Sequence, residues 1–466
     1  MTLNDSTSNL ALTKSDNSSG DAELPAHVEK SPQIPGPPPF PEGGLQAWQT
    51  VLGGSMILFC TFGVVQSFGV YQAYYSSHYL SQYVASDISW IGSVQTFLLF
   101  FGGLPAGKLF DEGYFHHCIG AGSLIYLFSV FMLSLAKPHQ YYQIFLAQGI
   151  GMGIGMGLLF LPAISVTSHY FRRRRAAAMG VVLAGKCSSL GAVIYSIMLN
   201  NLFNGNAGFG WGVRAAGFID LGLLGTANLI MKTRLPSRRE RPDAKPVDLK
   251  AILSDFGYWL CVIGATLTFW GLFVPFFYLQ VFSEYHGLSK NIGFYAIPIM
   301  NASSIFGRTI PNFLGDVIGP FNVMIPCTVI SGGLLFLMFA ATNLGGTIAF
   351  GILYGFFSGG FISLITPAAA SFSRDLNEIG QVLVPPLRDL RPDRFTTCST
   401  RIGITSFVIS FALLTGNPIA GALVQVNHSY IWYRPLVFAS VVVLAGAACL
   451  TASRTILSKR KNTNRL

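Results

Sequence analysis

Residues Leu235–Asp255 read LPSRRERPDAKPVDLKAILSD, a charged, proline-broken stretch in the middle of a chain that is otherwise mostly apolar. Six long apolar runs precede it: Trp48–Tyr71, Trp90–Phe110, Cys118–Ala136, Tyr141–Ser165, Ala176–Leu199 and Ala215–Leu235. Six follow it: Phe256–Phe282, Ile292–Leu314, Phe321–Ala341, Gly346–Ser371, Ile402–Val426 and Ile431–Ile456. A helix rising ~1.5 Å per residue needs ~20 mostly apolar residues to cross a hydrocarbon core of ~30 Å, and each run is about long enough. Asp, Glu, Lys and Arg make up 11% of the chain, against roughly 25% in soluble domains. The pattern predicts an all-α polytopic membrane protein with twelve transmembrane helices in two six-helix halves, residues 48–235 and 256–457, joined by a loop at 236–255. Residues 458–466 form a basic tail.

The net charge of +10 does not point to nucleic acid, because the basic residues collect in alternate loops. One side holds 22 Lys and Arg, including Lys108, Arg172–Arg175 and the cluster from Lys232 to Lys250; the other holds Lys137, Arg214, Lys290 and Arg434. The positive-inside rule then predicts a multi-pass protein of the cell membrane with both termini in the cytosol. Residues 1–47 are rich in Ser, Asp, Asn and Pro without a signal-peptide core, and read as a disordered cytosolic tail. The first membrane helix is therefore expected to act as its own insertion signal.

Catalytic and cofactor signals are missing. The seven cysteines are scattered without metal-ligand spacing, which fits buried packing. His116 and His117 are adjacent, whereas a metal pair on one helical face needs i, i+4. The run Gly149-Ile-Gly151-Met-Gly153-Ile-Gly155-Met-Gly157 loosely matches a dinucleotide loop. It lies inside an apolar span with no preceding strand, so close helix packing is the better reading. With no Walker loop, active transport would have to draw on an ion gradient, protons included. The expectation is a non-enzyme without cofactor or metal, whose partners are the bilayer and a small-molecule solute.

The second helix of each half ends similarly: Gly107-Lys-Leu-Phe-Asp111-Glu-Gly113, then Gly307-Arg308, Pro311 and Leu314-Gly315-Asp316 about 200 residues later. Repetition of this kind marks secondary transporters that rock one half against the other. Three further segments carry a family likeness. They are Pro41-Glu42-Gly43-Gly44-Leu-Gln-Ala47-Trp48; Tyr170-Phe171-Arg-Arg-Arg-Arg175-Ala-Ala-Ala-Met-Gly180; and Asp375-Leu-Asn377-Glu378-Ile-Gly380 with Arg401-Ile-Gly403 and Thr415-Gly-Asn417-Pro418-Ile-Ala-Gly421. From about Pro41 to Ile456 the chain resembles the major facilitator superfamily, and within it the monocarboxylate-transporter-like family of filamentous fungi. The resemblance implies a secondary active or facilitative transporter working by alternating access. Its solute would be small, organic, and anionic or amphipathic. The reading leans to efflux of a fungal secondary metabolite; the alternative is uptake of a monocarboxylate or riboflavin-like nutrient, with or without protons.

The chain departs from that family twice. Residues Gln381–Ser399 (QVLVPPLRDLRPDRFTTCS) intervene where relatives run almost directly on, and fit neither flanking helix; a retained intron and a true inserted loop both account for them. Lys186-Cys187 stands where relatives pass straight from Gly into Ser-Ser.

Arg308 is the residue most able to carry transport. A guanidinium within the membrane costs at least ~2.5–3.5 kcal/mol on insertion scales, so it should face a cavity or a partner. Asn301, Ser304 and Arg308 are spaced i, i+3, i+7 on one helical face, and a fixed bidentate donor suits an anionic oxygen group. The resemblance implies that this Arg meets a substrate carboxylate with help from an acid one turn earlier, where this chain has Ser304. The alternative is that Arg308 pairs with Asp316 or a helix end. Gly107, Asp111 and Asp316 are candidate gating residues, with helix capping as the plainer role. Asn417, beside Pro418, together with Gln66 and Tyr71, are further candidate substrate contacts; Trp270 and Tyr354 could supply aromatic cavity wall.

Overall fold

The computed structural model describes residues 43–170, 186–234, 249–372, 393–426 and 429–466. The long helices among them are, in chain order, α1 (Leu45–Tyr79), α2 (Ala85–Asp111), α3 (Phe115–Leu133), α4 (Tyr141–Ser165), α5 (Lys186–Asn204) and α6 (Gly208–Ile230), then α7 (Phe256–Tyr285), α8 (Lys290–Ile318), α9 (Pro320–Ala340), α10 (Leu344–Ala370), α11 (Asp393–Val424) and α12 (Tyr433–Lys461). Ten are long and apolar enough to cross a membrane. The other two, α5 and α8, carry most of the polar residues of the site described below, with Gln66 of α1 completing it.

Helices are forced on these segments because lipid offers no partner for backbone N–H and C=O groups. The fold therefore lies in how the helices break and pack. In each half the first helix breaks. Ser67 interrupts α1, its hydroxyl turning back to the Val64 carbonyl at 2.9 Å, and Phe273 interrupts α7 just before Pro275. The glycine run of α4 passes through a π-helical stretch, Phe145–Met152, and then meets its neighbours at backbone distance. A Cβ at Gly155 would stand 2.7 Å from the Tyr126 backbone N on α3, and one at Gly157 would stand 2.5 Å from the Leu98 carbonyl on α2. This is the close approach that small residues permit between helices in lipid.

Several ends differ from the sequence expectation. Helix α6 occupies Gly208–Ile230 rather than Ala215–Leu235, because Gly208 at φ 68° supplies the turn and Arg214 lies over the Trp211 ring at 5.0 Å. Helix α12 runs past the apolar pattern to Lys461 before Asn462 ends it in the left-handed region. The chain then folds back until the Asn322 amide donates to the Leu466 carbonyl at 3.1 Å. Residues 393–399, the last part of the atypical segment, are the first turns of α11 rather than loop; nothing after Pro392 interrupts a helix there. The expected N-terminal tail to residue 42, the Arg172–Arg175 cluster, Asn377 to Gly380 and residues 381–392 lie outside the described residues.

The two halves meet through α1 on α7, α2 on α11 and α5 on α8. At the end of the bundle away from the C-terminus, the α1–α7 and α2–α11 contacts are tight. The Phe68 and Phe277 rings are 4.7 Å apart. Ser86 donates to the Pro418 carbonyl at 3.0 Å, and Tyr278 donates to the Asn417 carbonyl at 3.2 Å. Gly69 and Gly421 let these elements touch, since a Cβ on either would stand 2.5 Å from the Phe276 carbonyl or the Tyr278 hydroxyl respectively.

Candidate functional site

Arg308 is buried on α8, and its guanidinium reaches across the divide between the halves. Nε donates to Ser304 Oγ at 3.1 Å, one turn back on the same helix. Nη1 donates to Ser188 Oγ on α5 at 2.9 Å, and Nη2 to Gln66 Oε1 on α1 at 2.8 Å. Asn301 Nδ2 joins the cluster by donating to the Gln66 carbonyl at 3.4 Å. Gln66 is the last residue before the break in α1, so its carbonyl faces a neighbour instead of continuing the helix. The face Asn301–Ser304–Arg308 is thus assembled as its spacing requires, and it meets Gln66.

Every one of these acceptors is a neutral oxygen. Asp255 pairs with Arg401 and Arg460, both at 3.2 Å, away from this cluster. Asp316, the alternative partner, is exposed near the end of α8 and accepts none of the three guanidinium bonds. A buried charge without a counter-charge carries a desolvation penalty of several kcal/mol that neutral hydrogen bonds only partly offset. Hydrogen-bonding capacity also remains. A guanidinium has five N–H donors, of which three are engaged, and Gln66 Nε2, Asn301 Oδ1 and Ser189 Oγ are buried without a partner. The spare guanidinium N–H groups and Gln66 Nε2 form a positive, under-bonded donor point between the halves, suited to an anionic oxygen group that can accept two parallel bonds.

The other candidates lie elsewhere. Tyr71 is buried among the rings of Phe68, Tyr75 and Phe203. Asn417 belongs to the α2–α7–α11 contact through its carbonyl. Trp270 donates to Thr415 at 3.0 Å and Tyr354 to the Leu272 carbonyl at 2.6 Å, at the break in α7. Gly107 packs on α4, where a Cβ would stand 2.6 Å from Leu161 Cδ2. Asp111 and Asp316 are both exposed at the ends of their helices. Sequence reasoning missed Ser188, although the signal was present as a serine pair opening α5. It also missed Ser86 and Tyr278, whose contacts with the Pro418 and Asn417 carbonyls span 332 and 139 positions.

Comparison with known proteins agrees with this architecture. The sequence description of the Major Facilitator Superfamily matches residues 56–383. An aspyridones efflux protein of Emericella nidulans is 42% identical over 91% of this chain and 81% of its own length. An agnestins efflux protein of Paecilomyces divaricatus is 36% identical over 90% and 89%. Among solved structures, that of a point mutant of the nucleoside transporter NupG matches with a TM-score of 0.64 at 13% identity, covering 88% of this chain and 100% of that one. This last likeness concerns the fold alone.

Proposed function

The chain belongs to the Major Facilitator Superfamily, and we propose that it exports a small anionic or amphipathic secondary metabolite by alternating access. The observation that carries the anionic solute is Arg308, buried between the halves with only neutral oxygens as partners. A solute carboxylate or enolate would replace the Gln66 and Ser188 acceptors and supply the missing charge. Because those acceptors belong to the other half, the exchange loosens the α8 contacts with α1 and α5. Solute binding and the rocking of the halves are then one event, and the tight contacts at the opposite end must open in the following step. Asp111, Gly107 and Asp316 act at the ends of α2 and α8 to stabilise one closed arrangement. The termini face the cytosol and the membrane is the plasma membrane.

Export is favoured over uptake of a monocarboxylate or riboflavin-like nutrient on two grounds: the two efflux proteins among the relatives, and Ser304 at the place where a proton-coupled carboxylate site would carry an acid. The test is deletion and overexpression of the gene in its host, with mass spectrometry of anionic metabolites inside the cells and in the medium. Export predicts that at least one acidic metabolite moves from medium to cells on deletion and in the opposite direction on overexpression. Unchanged partition of every acidic metabolite, with reduced uptake of an added monocarboxylate, would reverse the assignment.

A further inference from the structure

A second buried polar cluster lies inside the N-terminal half, centred on Asp220 of α6, a carboxylate fully removed from solvent. The Tyr126 hydroxyl of α3 donates to its Oδ2 at 3.1 Å, and the Tyr195 hydroxyl of α5 donates to its Oδ1. Cys60 and Tyr71 of α1 lie close by. These are the titratable groups that α1, α3 and α5, the helices packed on α6, turn toward it. All are uncharged when protonated, and no ion pair among the described residues includes Asp220. A buried carboxylate with neutral donors alone is electrostatically expensive, and adding one proton removes the charge.

The Tyr126 hydroxyl gives that proton a structural consequence. It stands 3.1 Å from Asp220 Oδ2 and also 3.1 Å from the Cys60 carbonyl of α1. With Asp220 ionised, its hydrogen is best placed toward the carboxylate. When a proton binds Oδ2, a new O–H bond forms there and donates to the Tyr126 oxygen, and the Tyr126 hydrogen turns to the Cys60 carbonyl. Release reverses both movements and returns the proton to water.

The helices that receive this change also hold Arg308. Helix α1 supplies Cys60 to one cluster and Gln66 to the other; α5 supplies Tyr195 to one and Ser188 to the other. Between the clusters α1 and α5 touch backbone to backbone, a Cβ at Gly63 lying 3.0 Å from the Gly191 carbonyl carbon. Ser188, Gly191 and Tyr195 share one face of α5 at i, i+3, i+7. We propose that Asp220 is a proton-binding site whose occupancy, read by the Tyr126 hydroxyl, biases the α1–α5 seam and so couples the solute site to protons. The coupling rests on the reading of the chain as a transporter; the proton site does not.

Both are testable without the solute, on the purified full chain in nanodiscs. Infrared spectroscopy during a pH titration should show the C=O stretch of a buried carboxylic acid that disappears as pH rises and is absent from Asp220→Asn. Tyr126→Phe should keep the band but move its frequency, which identifies it even if Asp220→Asn does not fold. Hydrogen exchange over residues 56–66 and 188–204, with labelling times scaled for intrinsic rate, should vary with pH in the wild type and be flattened in both variants. Spectra of wild type and Asp220→Asn that superimpose throughout, or a band that Tyr126→Phe leaves unmoved, overturn the site. A band present with pH-independent exchange overturns the coupling and leaves the transporter reading untouched. A protein that shows band and coupled exchange yet moves no metabolite in the host fails the transporter reading instead.

Discussion

At Arg308, chemistry and position separate cleanly, because its three hydrogen-bond acceptors come from three helices and none is charged. Arg308→Gln removes the charge and its desolvation penalty, so the protein should still fold and reach the membrane. Transport should nevertheless be lost, with roughly 2–5 kcal/mol taken from solute affinity, by analogy with buried charge pairs at interfaces. Arg308→Lys should remain badly impaired, because an ammonium is a point charge without the planar fork that engages Gln66 and Ser188 together. Affinity and turnover of the exported metabolite, measured in vesicles for both variants, check this. Near-normal affinity in Arg308→Gln would place the residue in the scaffold and remove the argument for an anionic solute. The charge and its helical face were legible in the sequence, since an Arg within an apolar run must have a reason. Its partners were not, for Gln66 stands 242 positions away. Asp220 is likewise a charged residue in an apolar run, but no acid or base repeats its position in the other half, and its hydroxyl partners Tyr126 and Tyr195 lie 94 and 25 positions away.

At the scale of elements, helix existence was readable and helix ends were less so. Length and apolarity fix a span, while its ends depend on local devices such as Gly208 at positive φ or the cap at Asn462. Packing is set by small residues whose neighbours only the structure reveals. Gly155 is the clearest case, since the atoms that a Cβ would meet include backbone of α3, which cannot swing aside. Gly155→Val should push α3 from α4, disturb Tyr126, and cost roughly 1–3 kcal/mol as overpacking. A lower Tm in detergent, with no change for a substitution at Gly222, where a Cβ meets nothing within 4 Å, is the expected pair of results. The atypical segment is open to the same kind of reasoning. Residues 393–399 extend α11, yet the helix from Thr400 to Val424 still has 25 residues, enough to span alone. Joining Gly380 to Thr400 should therefore leave insertion and export intact; loss of membrane-inserted protein would show that the added turns hold α11 in place.

For the whole molecule, the alternation of charge between loops and the repetition of the two halves belong to one arrangement. The basic residues collect in the stretches 172–175, 232–250 and 374–401 and at the C-terminus, which by alternation lie on the same side as Asp111 and Asp316. The structure gathers the C-terminus onto the α8–α9 turn at that same end, through Asn322 and Leu466. Juxtamembrane Lys and Arg are retained on the cytosolic side during insertion, so this end should face the cytosol and the Ser86–Tyr278–Pro418 contacts should lie toward the exterior. An epitope placed among residues 236–248 should be unreachable by antibody on intact cells and reachable after permeabilisation. One placed in the α5–α6 turn, at residues 205–207, should be reachable on intact cells. The C-terminus is a poorer site for the reporter, since the Leu466 carbonyl is engaged by the Asn322 amide and a fusion there would disturb the contact being used to judge orientation. The reverse labelling pattern would invert the bundle. The end carrying Asp111 and Asp316 would then face outward, and the efflux reading would have to be rebuilt with the tight seam on the cytosolic side.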